Sequence, residues 1–200
     1  MQAVKSLVVA STNPGKAREI ATVLSTLHDW KVESLPEGIP DIEETGSTFI
    51  ENAILKAEHY SNLVDGLCVA DDSGLIVDAL GGRPGIYSAR YAPTDDARNQ
   101  RLLEELEGIP PDKRDSRFVC ALAVARVWHS IWSVEERVEG QIAPALAGEY
   151  GFGYDPLFWV PDFGMTTGQL KPEIKNQISH RGVALRRLQE YLEVYLEAHE

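Results

Sequence analysis

Apolar residues fall along this chain in two rhythms. Short continuous apolar runs sit between turn-forming residues. Longer stretches place their apolar positions three and four residues apart. The first run, residues 6–10, reads as a strand buried on both faces and therefore central in a sheet. A tight turn over 12–15 follows. Residues 16–27 then carry Ile20, Val23, Leu24 and Leu27 at helical spacing. A second strand is expected over 31–35. A polar, proline-containing connection leads to Glu43-Glu44-Thr45-Gly46, and Thr48 with Glu51 forms a capping-box pattern. That box opens a helix to about residue 63, with Ile50, Ala53, Ile54 and Ala57 along one face.

The remaining pattern predicts strands over 67–70 and 75–80, separated by a loop at Asp71-Asp72-Ser73-Gly74. Glycine and proline make residues 81–85 irregular. A helix over 95–106 turns Leu102, Leu103 and Leu106 inward. Strands over 118–127 and 131–138 meet at a hairpin turn, Trp128-His129-Ser130. Residues 148–155 form a glycine- and aromatic-rich loop, 157–160 a strand, and 183–196 a final helix with Leu185, Leu188, Leu192 and Leu196 apolar. Strand–helix alternation together with an antiparallel pair points to an α/β or α+β fold with a mixed sheet. Local pattern leaves the strand order open.

With 200 residues, 44% hydrophobic and 25% charged, the chain suits one compact domain or two closely joined lobes. Cys68 and Cys120 each lie in an apolar run, as reduced buried thiols of a cytoplasmic protein would. The first apolar run is too short for a signal-peptide core or a membrane span. A net charge of -12 disfavours nucleic acid as a partner. A phosphate ligand would need local cations, backbone N–H groups and a metal bridging it to carboxylates.

Four segments carry candidate chemistry. Ser11-Thr12-Asn13-Pro14-Gly15-Lys16 joins a strand to a helix N-terminus, where N–H groups and the helix dipole favour an anion. It is not a P-loop, because Ser11 and Ala17 stand where that motif has glycine and a hydroxyl residue. Asp71 and Asp72 are adjacent carboxylates after a buried strand. One can hold metal or activate water while the other orients it, and Glu43 and Glu44 add further oxygens. In Gly151-Phe152-Gly153-Tyr154-Asp155-Pro156, two glycines leave the Phe152 ring open for a planar base, and Asp155 is a hydrogen-bond acceptor. Lys175 and Ser179-His180-Arg181-Gly182 bring donors close to the last helix, and an arginine there suits a purine carbonyl.

Taken in order, these segments, together with Phe49-Ile50-Glu51-Asn52-Ala53 and Pro84-Gly85-Ile86-Tyr87-Ser88-Ala89-Arg90, resemble the inosine triphosphatase family over nearly the whole chain. Its members hydrolyse non-standard purine nucleoside triphosphates to the monophosphate and pyrophosphate. The resemblance implies an elongated, two-lobed, mixed α/β fold with the active-site cleft between the lobes, a homodimer, and magnesium as cofactor. It implies that Ser11, Thr12, Asn13, Pro14, Gly15 and Lys16 hold the triphosphate. Asp72 becomes proton acceptor and metal ligand, and Glu43 the second metal carboxylate, with neighbouring Glu44 as the alternative. Ser73, Phe152, Gly153, Tyr154, Asp155, Lys175, His180 and Arg181 become substrate contacts. Met165 and Tyr150 depart from the family's usual residues and bear on substrate range. Two rival readings are a Maf-like pyrophosphatase acting on pyrimidine or modified nucleotides and a non-catalytic nucleotide-binding module.

Overall fold

The structure, a computed structural model, describes residues 5–36 and 38–198, the side chains of 196–198 excepted; the expected inward face of Leu196 therefore lies outside the described residues. Seven strands form one mixed sheet in the order β2-β1-β3-β4-β5-β6-β7. They are β1 (Lys5–Ala10), β2 (Trp30–Ser34), β3 (Leu67–Val77), β4 (Asp115–Arg126), β5 (His129–Ile142), β6 (Phe158–Val160) and β7 (Met165–Thr166). The helices are α1 (Pro14–Leu24), α2 (Phe49–Ser61), α3 (Asp95–Glu105), α4 (Pro172–Ile178) and α5 (His180–Ala198). No helix among the described residues is long and apolar enough to cross a membrane.

β1 runs parallel to both β2 and β3, pairing Leu7 with Val32 and with Leu67. Its Leu7–Ala10 stretch is buried on both faces, as an all-apolar central strand must be. At the other end of the sheet, β6 pairs antiparallel with β5 and with the edge strand β7.

The chain divides into two compact units. Unit 1 comprises Met1–Asp72, Cys120–Glu136 and Arg181–Glu200, and unit 2 comprises Ser73–Val119 and Arg137–His180. Unit 1 has a core of Leu7, Val9, Ile20, Leu24, Leu122, Val124, Leu185, Leu188 and Leu192. Unit 2 is built on Leu75, Val77, Leu102, Leu106, Ile142, Leu157 and Phe158. The chain passes between the units four times, at Asp72–Ser73, Val119–Cys120, Glu136–Arg137 and His180–Arg181.

Several local expectations change. Residues 71–74 are not a loop: β3 continues through them to Val77, because burial and side-chain partners satisfy the two aspartates within the strand. The hairpin turn is Val127–Trp128, with φ of 47° and 66°, and His129 and Ser130 already belong to β5. A two-residue turn with both φ positive matches the twist of paired strands, and here it overrides the poor left-handed preference of a β-branched valine. The α2 cap also differs. Thr48 Oγ1 accepts from Glu51 N at 3.2 Å, but the Glu51 carboxylate reaches past Thr48 to Ser47 N and Oγ, both at 2.7 Å.

Candidate active site

The loop after β1 is shorter than expected, since α1 begins at Pro14, whose missing N–H and fixed φ suit the first helical position. Asn13 Oδ1 accepts from Gly15 N at 2.9 Å and from Lys16 N at 3.0 Å, capping the helix. Thr12, Asn13 and Pro14 are exposed, and Ser11, Gly15 and Lys16 are half-buried. From the first turn of α1, Lys16 extends its ammonium to Asp71 Oδ1 in an ion pair.

Asp71 and Asp72 lie in β3 just beyond Ala70, the partner of the last residue of β1. Successive strand residues face opposite ways, so two carboxylates from one dipeptide reach different surroundings. Asp71 is fully buried. Besides Lys16 it receives Arg181 Nε at 3.1 Å and Cys120 Sγ at 3.1 Å on Oδ2. Burial opposes its charge, but Arg181 and Lys16 outweigh burial and hold its carboxyl well below the usual range. Arg181 is itself buried, with Nη1 on Glu19. Burial would favour its neutral form, but Asp71 and Glu19 raise its pKa further.

Asp72 takes Lys56 Nζ on Oδ1 at 3.1 Å and Asn52 Nδ2 on Oδ2 at 3.3 Å. Lys56 also meets Glu44 Oε1 at 2.7 Å, so one ammonium sits between two carboxylates. Burial raises the pKa of Asp72 and outweighs Lys56 and Lys16. Of the adjacent pair at 43 and 44, the structure brings Glu44 into this network. Glu43, expected as the second metal carboxylate, is exposed, in a stretch where exposed and half-buried residues alternate from Asp41 to Glu44.

Asn52, Lys56 and Glu19 are functional candidates that reading the sequence did not single out. Asn52 and Lys56 are one helical turn apart beside the buried stripe of Ala53 and Ala57, and a polar pair flanking an apolar stripe is the signal available. Gly46 makes the approach possible. Its N–H donates to Asn52 Oδ1 at 2.8 Å, and a Cβ there would fall 2.6 Å from that oxygen.

In unit 2, Asp155 organises the aromatic loop. Its Oδ2 accepts from Phe152 N at 2.8 Å and from Lys175 Nζ at 2.5 Å, and its Oδ1 from Thr167 Oγ1 at 2.8 Å. Gly151, at φ 80°, leaves room for that carboxylate, which a Cβ would strike at 2.1 Å. Lys175 is buried in α4, a helix not foreseen from the sequence, and its ammonium lies 5.0 Å from the Phe152 ring centre. Gly153 is pinned on both sides, its N–H donating to Asp95 Oδ2 at 2.8 Å and its carbonyl accepting from Asn99 Nδ2 at 2.9 Å. Tyr154 is a core anchor, with its hydroxyl donating to Ser88 O at 2.9 Å. Of the four loop residues expected to contact substrate, Phe152 and Gly153 remain half-exposed, while Tyr154 and Asp155 are buried. His180 is buried and stacks on Phe118, ring centres 4.8 Å apart and 13° from parallel. Ser73, half-buried, is the first residue of unit 2.

Unit 1 thus offers a charged group with one strongly acidic and one weakly acidic carboxylate, and unit 2 an aromatic loop held by buried polar contacts. Among the described residues, no three His, Cys, Asp or Glu side chains form a ready metal cage. A magnesium ion needs only one or two carboxylates plus water and phosphate oxygens, and Lys56 between Glu44 and Asp72 marks a place that already accepts a cation.

Residues 7–191 match the model of the Ham1 family. A dITP/XTP pyrophosphatase of Geobacillus kaustophilus is 52% identical over 194 residues, covering 94% of this chain and 95% of that protein. Among solved structures, a HAM1 protein from Coxiella burnetii superposes with a TM-score of 0.84 at 42% identity, covering 94% of this chain and 98% of that one. The Staphylococcus aureus Ham1 protein gives 0.83 at 43% identity, covering 96% and 100%.

Proposed function

Because the chain belongs to the Ham1 family, we propose that it hydrolyses deoxyinosine, inosine and xanthosine triphosphates to the monophosphate and pyrophosphate. The observation that carries this reading is the Asp71–Asp72 pair, with Lys16 and Arg181 on one carboxylate and Lys56 and Asn52 on the other. A non-catalytic nucleotide-binding module has no need of a carboxylate whose proton affinity is raised beside cations, and the family match weighs against the Maf-like alternative.

Lys16 and the residues 11–15 take the triphosphate, whose charge competes with Asp71 for the Lys16 ammonium. Glu44 and Asp72 would hold magnesium, which when bound neutralises phosphate oxygens and polarises the bond to be broken. Asp72 accepts the proton of a water that attacks the α-phosphorus, and the α–β phosphoanhydride bond breaks with its electron pair leaving on pyrophosphate. Phe152 stacks on the purine, and Asp155 and Lys175 keep that loop in place. His180 and Arg181 favour a keto oxygen at purine position 6. Arg181 reaches that role by exchanging a hydrogen bond that it now gives to Glu19. Ser73, next to Asp72, is a further substrate contact. A cytoplasmic homodimer completes the proposal, and the buried free thiols of Cys68 and Cys120 suit a reducing compartment.

The deciding experiment is a panel of nucleoside triphosphates with magnesium, assayed separately for pyrophosphate and orthophosphate. Pyrophosphate with inosine monophosphate as co-product is expected. Orthophosphate release, or equal turnover of adenosine triphosphate, would remove the assignment.

A further inference from the structure

A second polar feature of unit 1 lies at the amino-terminal end of β1, where Lys5 starts the strand whose other end leads into residues 11–16. Five steps of roughly 3.3 Å place it about 17 Å along the sheet from that loop. A cavity of about 360 Å³ opens there, with Lys5, Trp30, Leu67, Arg126 and Tyr195 in its wall. That volume is near the lower end for small-molecule sites.

Two buried donors in this wall have no acceptor among the described residues. The Lys5 ammonium is buried without a hydrogen-bond partner among the described residues and lies 5.6 Å from the Tyr195 ring centre. Trp30 is 6% exposed, and its indole N–H is likewise buried and unpartnered. The Arg126 guanidinium adds a second cation, with Nη1 3.5 Å from Tyr195 Oη. Among the described residues no carboxylate lines the cavity, in a chain with 31 Asp and Glu residues. An ammonium drawn out of water with no counter-ion is unfavourable, and an aromatic face offsets only part of that. A buried indole N–H without an acceptor adds to the cost. Both deficits are cured by one ligand oxyanion.

We propose that this cavity binds an oxyanion, phosphate or carboxylate, carried on a planar ring. Lys5 and Arg126 meet the charge, and the Trp30 N–H donates one hydrogen bond. The Trp30 and Tyr195 rings, with centres 6.2 Å apart, form an aromatic wall for the ligand's ring to lie against. The inference is independent of the hydrolytic reading, since none of these residues belongs to the group around Asp71 and Asp72.

The test follows the Trp30 indole N–H resonance of the full chain by nitrogen-15 NMR, assigned by its loss in Trp30→Phe. Phenyl phosphate, benzoate and inorganic phosphate are titrated separately. A saturable shift is expected with phenyl phosphate, benzoate or both, and which of the two binds tighter identifies the oxyanion. In Lys5→Met the midpoint should weaken about tenfold, the loss of one charge-assisted hydrogen bond. Its melting temperature should not fall, because an unpaired buried charge has been removed. Arg126→Gln, at the exposed rim, is a second variant expected to weaken binding. The proposal is overturned if no ring-bearing anion shifts the resonance saturably, if Lys5→Met and Arg126→Gln both bind as wild type does, or if inorganic phosphate binds as tightly as phenyl phosphate.

Discussion

Asp71 and Asp72, neighbours in β3, are shifted to opposite acid strengths, because cations outweigh burial at Asp71 and burial outweighs cations at Asp72. Asp71 is fully buried against Arg181 and Lys16 and is held well below the ordinary carboxylate range. Asp72, where burial outweighs Lys56 and Lys16, is pushed upward. One dipeptide thus supplies a permanent anion that fixes two cations and a carboxylate ready to take a proton.

Replacing Asp72 with Asn should keep the fold and lower turnover by roughly 10²–10⁴-fold, the usual contribution of a positioned general base. The amide still accepts from Asn52 but cannot take a proton from water. Pyrophosphate release measured beside a melting curve checks this; near-wild-type turnover would exclude Asp72 as the base.

The same variant has a pH signature. The folded pKa of Asp72 lies above its unfolded value, so ionisation of Asp72 costs stability, and the cost grows as pH rises from about 4 through the folded pKa. In chelator, Asp72→Asn should therefore melt higher than wild type at pH 7, with the advantage shrinking towards pH 4. A gap that does not change with pH would contradict the raised pKa.

Asp71→Asn should behave in the opposite way. Its folded pKa is lowered, so the stability it contributes is complete above the unfolded carboxylate range and disappears as pH falls through the folded value. Removing the charge leaves Arg181 and Lys16 without their shared anion. A loss of about 3–5 kcal/mol at pH 7 is expected, the usual cost of breaking a buried pair. Denaturant unfolding at pH 7 measures it, and a loss below about 1 kcal/mol would show that Glu19 alone satisfies Arg181.

Chelation should abolish activity and magnesium restore it, because Glu44 and Asp72 are hard oxygen donors converging on one cation position. Glu44→Gln should raise the magnesium requirement more than Glu43→Gln does. Equal effects of the two substitutions would remove Glu44 from the metal site.

Phe152→Ala should reduce catalytic efficiency for inosine and adenosine triphosphate alike, since stacking does not read position 6; about 1–3 kcal/mol per stack is lost. Arg181→Ala should lower the melting temperature and also narrow the ratio between the two substrates. Kinetics on both nucleotides with one preparation separate the effects. An unchanged ratio would make Arg181 a positioning residue for Asp71 alone.

Hydrophobic rhythm by itself determined the central strand at residues 6–10, the helical spacing of Ile20 and Leu24, the helices over Phe49–Ser61 and Asp95–Glu105, the long strand through Phe118 and the inward Leu185, Leu188 and Leu192 of the last helix. These are local facts, written in the period of burial and in cap residues. The candidate chemistry of Lys16, Asp72, Phe152 and Arg181 was proposed from residue type and chain neighbourhood, and the structure puts Asp72 inside β3 and Arg181 in the first turn of α5. Strand order, the continuation of β3 through two aspartates and the α4 helix that buries Lys175 belong to the tertiary structure. So do the contact of Glu44 with Lys56 and the gathering of Glu19, Asn52 and Lys56 around Arg181 and Asp72. Each depends on what a charge meets from a distant segment: Arg181 lies 110 residues from Asp71 and 162 from Glu19. A buried ion is tolerable only with such partners, and no local pattern in the chain encodes which segments will supply them.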